Sequence, residues 1–199
     1  LNQHGRTSMP ASASDCFRSG IGICPEWKTV AARAASTSAS LNTSVKCNPT
    51  LLGAERVRGI INDELGYTDI VVPDEAFGHD LKYVDAVPMF HNLKRIAKAK
   101  DLTFGLKLSN TLEVENHRME FPDDDMMYMS GRALHAVTTN LALRLSEEFR
   151  GDLLLSFAGG ADAFNVTDLL RSGMATITVC SDLLKTGGYL RMPQYIEEL

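Results

Sequence analysis

The sequence predicts an α/β fold, a parallel TIM-type (β/α) barrel that is incomplete because its N-terminal strands are missing from the chain. Three observations carry this expectation. Short apolar runs alternate with amphipathic stretches at helical spacing; the apolar runs are near-continuous; and the last two are followed by glycine pairs. Parallel sheets covered by helices on both faces read this way, because no face of the strand needs to be polar. A complete eight-stranded barrel takes about 250 residues. Five strands are predicted in 199 residues, hence the incomplete barrel, with an open doubly wound sheet as the alternative.

The elements follow in order. Residues 1–20 are rich in Ser, Ala and Gly with few large apolar side chains, and predict a poorly ordered lead-in, leaving 21–199 as the C-terminal portion of the barrel. Residues 26–41 predict a weak helix opened by Pro25 and diluted by Ser and Thr. A strand at 43–47 ends in an Asn-Pro turn signal, and a helix over 51–66 carries Leu52, Val57, Ile60, Ile61 and Leu65 at near-helical spacing before Gly66. A strand is expected at 67–72. The next helix, 80–101, contains Pro88 and is expected to kink or restart there. A strand at 102–110 precedes a long connection at 111–129, of the length that often forms a lid or binding loop. Residues 130–149 place Leu134, Val137, Leu141, Leu145 and Phe149 on one stripe, with Ser130 as the N-cap. Strand, helix and strand follow at 152–160, 165–173 and 175–184, and 185–199 predicts a short terminal helix or extension.

Composition narrows the function classes. The chain is 44% hydrophobic and 23% charged, with a net charge of −5, and its densest basic stretch (92–100) is interleaved with apolar residues. A nucleic-acid or anionic-membrane partner is not suggested. No apolar run reaches the ~20 residues of a membrane span, and the polar start lacks the apolar centre of a secretory signal, so the expected location is cytoplasmic. Cys16, Cys24, Cys47 and Cys180 are scattered without a C-x-x-C pair, which predicts reduced thiols and neither a metal site nor an iron–sulfur cluster.

Candidate chemistry concentrates at strand ends. "SFAGGADAF" (156–164) runs an apolar strand into Gly159 and Gly160 with a helix close behind, an arrangement that lets backbone N–H groups approach an anion. "TVCSDLLKTGG" (178–188) repeats it with Cys180, Ser181 and a second glycine pair. In (β/α) barrels the loops after the last two strands frequently hold a phosphate. Lys46 and Lys107 each interrupt an apolar strand, where a charged head is costly unless it meets a partner or reaches solvent. Asn48 follows the first, and Asn110 and Thr111 the second, offering donors and acceptors suited to the edge of a heterocycle.

The segments "GICPEW", "LNTSVKCNPTLLGAERVRGIINDELGYTDI", "AFGHDLKYVDAV", "FGLKLSNTLEV", "MYMSGRAL", "SFAGGADAFN" and "TVCSDLLKTGGY" resemble the FMN-binding barrel of the selenate reductase subunit family. That family is similar in turn to the C-terminal part of dihydropyrimidine dehydrogenase and to dihydroorotate dehydrogenase. The resemblance implies FMN across the barrel mouth, with Lys46 at the flavin ring and Asn110 and Thr111 lining ring and substrate; Asn48 and Lys107 are further candidate contacts. Ser130 and Gly131 match a loop beside the cofactor, and Gly159, Gly160, Cys180 and Ser181 match its phosphate-binding ends. Cys24 resembles the cysteine that acts as general acid opposite the flavin.

The activity so implied is hydride transfer to or from a planar heterocyclic small molecule, with the electron donor on another domain or chain. Two alternatives remain open: a non-catalytic truncated barrel serving as a subunit or remnant, whose open sheet edge favours oligomers, and a flavin-free phosphate-binding barrel in which Lys46 forms a Schiff base or binds the substrate.

Overall fold

The computed structural model describes residues 41–199. The expected lead-in, Cys24 and all but the last residue of the helix expected over 26–41 lie outside the described residues. The chain opens with β1 (Thr43–Cys47), a 3₁₀ turn (Pro49–Leu52) and α1 (Ala54–Arg58), which continues as a π-helical segment (Gly59–Glu64). Then come α2 (Asp74–His79), α3 (Tyr83–Ala99), β2 (Phe104–Leu108), β3 (Leu112–Glu115) and β4 (Met126–Met129). A 3₁₀ turn (Gly131–Leu134) leads into α4 (His135–Glu148), followed by β5 (Leu154–Phe157), α5 (Val166–Arg171), β6 (Thr176–Ile177), a 3₁₀ turn (Gly188–Arg191) and α6 (Met192–Glu197).

β1, β2, β5 and β6 form a parallel sheet in that order, and β3 and β4 pair separately as an antiparallel hairpin. This is the α/β, TIM-type architecture the sequence predicts, with the barrel not closed among the described residues. One face of the sheet is apolar. Leu106, Leu108 and Phe157 are fully buried there, against Phe90 of α3 and the α4 stripe Val137, Leu141 and Leu145. That stripe is buried as its spacing predicts, because residues three and four apart share one side of a helix.

Three expectations need correction. Residues 67–72 form no strand; Val71 offers its carbonyl to the Glu115 N–H at 2.9 Å, but no further ladder develops beside it. The connection over 111–129 is largely ordered as the β3–β4 hairpin. Its turn is organised by the buried Asn116, which donates to the carbonyls of Phe121 and Asp124 and accepts from the Glu120 N–H. Of the kink or restart expected at Pro88 the restart does not occur, since α3 runs unbroken across it. Val84, whose carbonyl loses its helical partner to the proline, lies on the solvent side, 76% exposed, where water can replace that bond.

Candidate functional site

Alternate side chains of a strand face opposite ways, and parallel register carries each row of side chains across the sheet. Lys46 on β1 stands level with Lys107 on β2, Lys107 with Ser156 on β5, and Ser156 with Thr176 on β6. The adjacent rows, Val45–Leu106–Leu155 and Cys47–Leu108–Phe157–Ile177, belong to the helix-covered core. The face turned away from the helices, the inside of a barrel, therefore carries a band of two amines and two hydroxyls. Thr176 donates to the Ser156 hydroxyl at 2.7 Å.

Among the described residues no carboxylate pairs with either lysine. Partial burial, and then the neighbouring charge of Lys107, hold the Lys46 amine below its ordinary lysine value. Two adjacent, uncompensated cations on an inward face favour an anion, whose charge would relieve their repulsion. Cys47, one residue on from Lys46, points into the core; burial pushes its thiol up to about 12, so it packs as a small hydrophobe.

At the C-terminal ends of β1 and β2, Asn48, Asn110 and Thr111 come together. The Asn110 N–H donates to the Cys47 carbonyl at 2.9 Å, drawing the two strand ends into contact. These three residues line a narrow cleft with Thr50, Asp80 and Tyr128, the last contributed by the hairpin. Asp80 ties its floor: Asn48 Nδ2 donates to Asp80 Oδ1 at 2.8 Å and the Thr50 hydroxyl donates to Oδ2. Burial, and then the charge of Glu113 opposite it on β3, raise the Tyr128 phenol above its ordinary value.

The second group of expected residues converges at the ends of β5 and β6. A Cβ on Gly131 would lie 2.8 Å from Ser181 Cβ, and one on Gly160 only 2.6 Å from Arg132 Cα. Gly159 faces the buried Thr138 of α4 so closely that its missing side chain is the space Thr138 fills. The Thr138 hydroxyl also meets Ser109 Oγ at 2.8 Å, bridging the ends of β2 and β5. Among the described residues the backbone N–H groups of Gly159, Gly160 and Ser181 meet no acceptor, which leaves three donors for an anionic ligand. Ser130 takes the extended cap position without a side-chain cap bond, and Cys180 is exposed, its carbonyl accepting from the Leu183 N–H at 2.9 Å.

Gly160 combines φ of +78° with a backbone neighbour that cannot move aside. Gly160→Ala is expected to destabilise the chain by about 2–5 kcal/mol, the sum of a left-handed strain and an overpacking cost. Gly66→Ala, at φ of +73° with open space around it, is expected to lose only the first part, about 1–2 kcal/mol. Urea denaturation of the two variants against the parent measures the difference.

Two buried aspartates stiffen these loops, and neither was singled out by sequence reasoning. Asp162 pairs with Arg132 and accepts the Phe164 N–H at 3.0 Å. Asp182, 4% exposed, accepts from Tyr195 at 2.5 Å, from Arg191 Nε at 3.1 Å and from Lys185 at 3.2 Å, pinning the loop after β6 to α6. Burial alone would raise its pKa. The hydrogen bonds from Tyr195, Arg191 and Lys185 overrule it and hold the carboxyl at about 2.

A carboxyl depressed on folding contributes stability that is present above its unfolded value and is lost as pH falls through its folded one. For Asp182 that window runs from about pH 4 down to 2, and the contribution above it is on the order of 2 kcal/mol. Asp182→Asn is therefore expected to be less stable than the parent at neutral pH, with the gap closing across this window in denaturant melts.

Four parallel strands with helices on one face, an inward pair of cations and unpaired amides at the strand ends define a segment of a (β/α) barrel with a mouth suited to an anionic ligand. The chain belongs to the family described as oxidoreductase YgfK, N-terminal TIM-barrel domain, whose model matches residues 26–199.

It is 46% identical over 159 residues to the "Putative oxidoreductase YgfK" of Escherichia coli strain K12, and equally so to the protein of that name in Escherichia coli O157:H7. The match covers 80% of this chain and 15% of each relative, so the chain spans a small part of the length of these proteins. A crystal structure of DHODH in complex with ferulenol, from Eimeria tenella, overlaps 56% of this chain and 30% of that one at 19% identity. Its TM-score of 0.41 is too low to define a shared fold. Among the described residues no helix is long and apolar enough to cross a membrane.

Proposed function

We propose that the chain is an FMN-binding oxidoreductase domain that transfers a hydride to or from a planar heterocycle, in the manner of the dihydropyrimidine and dihydroorotate dehydrogenases it resembles. The observation that carries this reading is the Lys46–Lys107 pair, adjacent in register on the inward face and without a carboxylate partner among the described residues.

The donor set fits the cofactor. FMN, when bound, supplies the hydride-transferring ring. Lys46 and Lys107 would hold the electron-rich edge of that ring and offset negative charge gathering there. The amides of Gly159, Gly160 and Ser181, with Gly131 closing against Ser181, would receive the phosphate. Asn48, Asn110 and Thr111 would orient the substrate in the cleft at the ends of β1 and β2. Cys24 remains the proposed proton donor, and the electron donor is proposed to sit on another domain or chain.

Equilibrium dialysis against FMN and riboflavin tests this reading. The glycine loops predict that FMN is retained well over tenfold more tightly than riboflavin, since a phosphate would gain charge-assisted bonds to backbone donors. Equal retention, or none, would remove the phosphate site and the reading with it.

A second reading, the non-catalytic truncated barrel, is favoured by one observation. Leu184, Tyr189, Leu190 and Ile196 near the C-terminal end are 82%, 82%, 85% and 71% exposed, an apolar surface of the kind that marks association. Under this reading light scattering is expected to show oligomers, and a compact monomer at high concentration would count against it.

A further inference from the structure

We infer that Thr138 is a positioning residue for the barrel mouth: it seats the Gly159 loop and, through Ser109, holds the Asn110 strand end, so that the loop amides keep one arrangement for an anion. This deepens the proposed function and rests on it for the nature of the ligand. β2 and β5 are paired as far as Leu108 and Phe157, and the Ala158 N–H still donates to the Leu108 carbonyl. Beyond that bond the ladder ends, with Ser109 and Asn110 on one branch and Gly159 on the other. Thr138, fully buried in the first turn of α4, stands between the branches and acts through its neighbours rather than on the ligand.

Its contacts reach both sides of this fork. A Cβ on Gly159 would lie 2.6 Å from Thr138 Cβ and 2.8 Å from its Cγ2, so the loop backbone rests directly on the threonine. On the other branch the Thr138 hydroxyl meets Ser109 Oγ at 2.8 Å. Ser109 directs its own proton to the Asn110 carbonyl at 3.1 Å, so the proton between the two hydroxyls comes from Thr138. The Asn110 N–H in turn donates to the Cys47 carbonyl at 2.9 Å. One chain of bonds thus runs from α4 through the end of β2 to the end of β1, starting at the side chain on which Gly159 rests.

Packing alone does not call for a threonine here. Its neighbours on the helix, Val137, Leu141 and Ala142, are buried and apolar, and a hydroxyl taken out of water is costly unless it is bonded. The usual bond of a helical threonine goes back to the carbonyl one turn earlier, and Thr139 makes it, to His135 at 2.9 Å. Thr138 turns its hydroxyl to Ser109, itself only 3% exposed, and so latches helix to strand end at the point where the loop departs. Backbone donors that receive an anion depend on such support, because a small displacement forfeits most of the gain.

The test uses the full chain and two variants that split the side chain, with FMN and riboflavin as probes in equilibrium dialysis. Thr138→Val keeps the branch but sets a methyl where the hydroxyl faced Ser109 and Gly159; Thr138→Ser keeps the hydroxyl and drops the methyl. Thr138→Val is expected to lower the preference for FMN over riboflavin at least roughly fivefold, and Thr138→Ser to hold it within about twofold. A merely structural role would weaken both flavins together, in step with the urea midpoints, and leave their ratio alone. An unchanged ratio in Thr138→Val, or an equal fall in Thr138→Ser, would overturn the inference.

Hydrogen exchange gives a readout without ligand. The Asn110 amide is expected to exchange at least roughly fivefold faster in Thr138→Val than in the wild type, and at the wild-type rate in Thr138→Ser. Ser109→Ala breaks the same bond from the other side and is expected to speed Asn110 exchange as much. A wild-type rate in either Thr138→Val or Ser109→Ala would overturn the inference whatever the flavins do. Equal retention of FMN and riboflavin by the wild type, by contrast, removes the phosphate reading and leaves Thr138 to be judged on exchange alone.

Discussion

Replacing Lys46 with Met is expected to weaken FMN binding by roughly 10- to 100-fold, the loss of one charge-assisted hydrogen bond in a partly buried setting, and Lys107→Met by a similar factor. The same substitutions are expected to leave the fold intact or slightly more stable. Like charges directly opposite each other on neighbouring strands destabilise by about 0.2–1 kcal/mol, and either replacement removes that repulsion. Fluorescence titration of FMN paired with urea melts separates the two roles. Loss of binding without loss of stability is the signature of a ligand site; loss of both would assign the lysines a structural part.

The largest stability effect is expected at Phe157. Its ring is fully buried on β5, between Leu108 of β2 and Ile177 of β6 in register, and it meets the His135 ring edge-on at 5.4 Å. Phe157→Ala empties that space in a core that relaxes only partly, and costs about 3–5 kcal/mol. Domains of this kind are stable by only about 5–15 kcal/mol, so the variant would sit near its unfolding midpoint under mild conditions. Leu154→Ala, three residues away on the same strand but 47% exposed, is expected to lose far less. Urea midpoints of the pair compare burial directly, since strand and sheet are held constant.

What the sequence revealed of the fold depended on how local the cause was. The stripe from Leu134 to Phe149 was legible because five apolar residues at helical spacing admit one solution, and all five are buried. On α3 the buried side was harder to read: Val84 is exposed while Ala86 and Phe90 are fully buried. The strand expected at 67–72 failed because β-branched residues there lack a partner strand; Val72 is buried through packing rather than pairing. The β3–β4 hairpin escaped notice because its second strand, Met126–Met129, has no apolar–polar alternation and its turn is built by a single buried asparagine.

The candidate site divides along the same line. Lys46, Asn48, Lys107, Asn110 and Thr111 were legible because charged and amide residues in or just after apolar strands break the local pattern, and the structure brings them to one sheet face and one cleft. Gly131, Gly159, Gly160 and Ser181 likewise converge. Their supports did not show. Asp80 reaches Asn48 across 32 residues, Thr138 reaches Ser109 across 29, and Asp182 reaches Tyr195 across 13, distances over which no periodic signal extends.

The proposed flavin in this barrel mouth is tested most directly by an absorbance titration of the purified chain with FMN. Saturable binding of one FMN per chain is expected, with flavin bands displaced from those of the free cofactor, and loss of that displacement in the Lys46→Met, Lys107→Met double variant. A spectrum that stays that of free FMN at every protein concentration would contradict it.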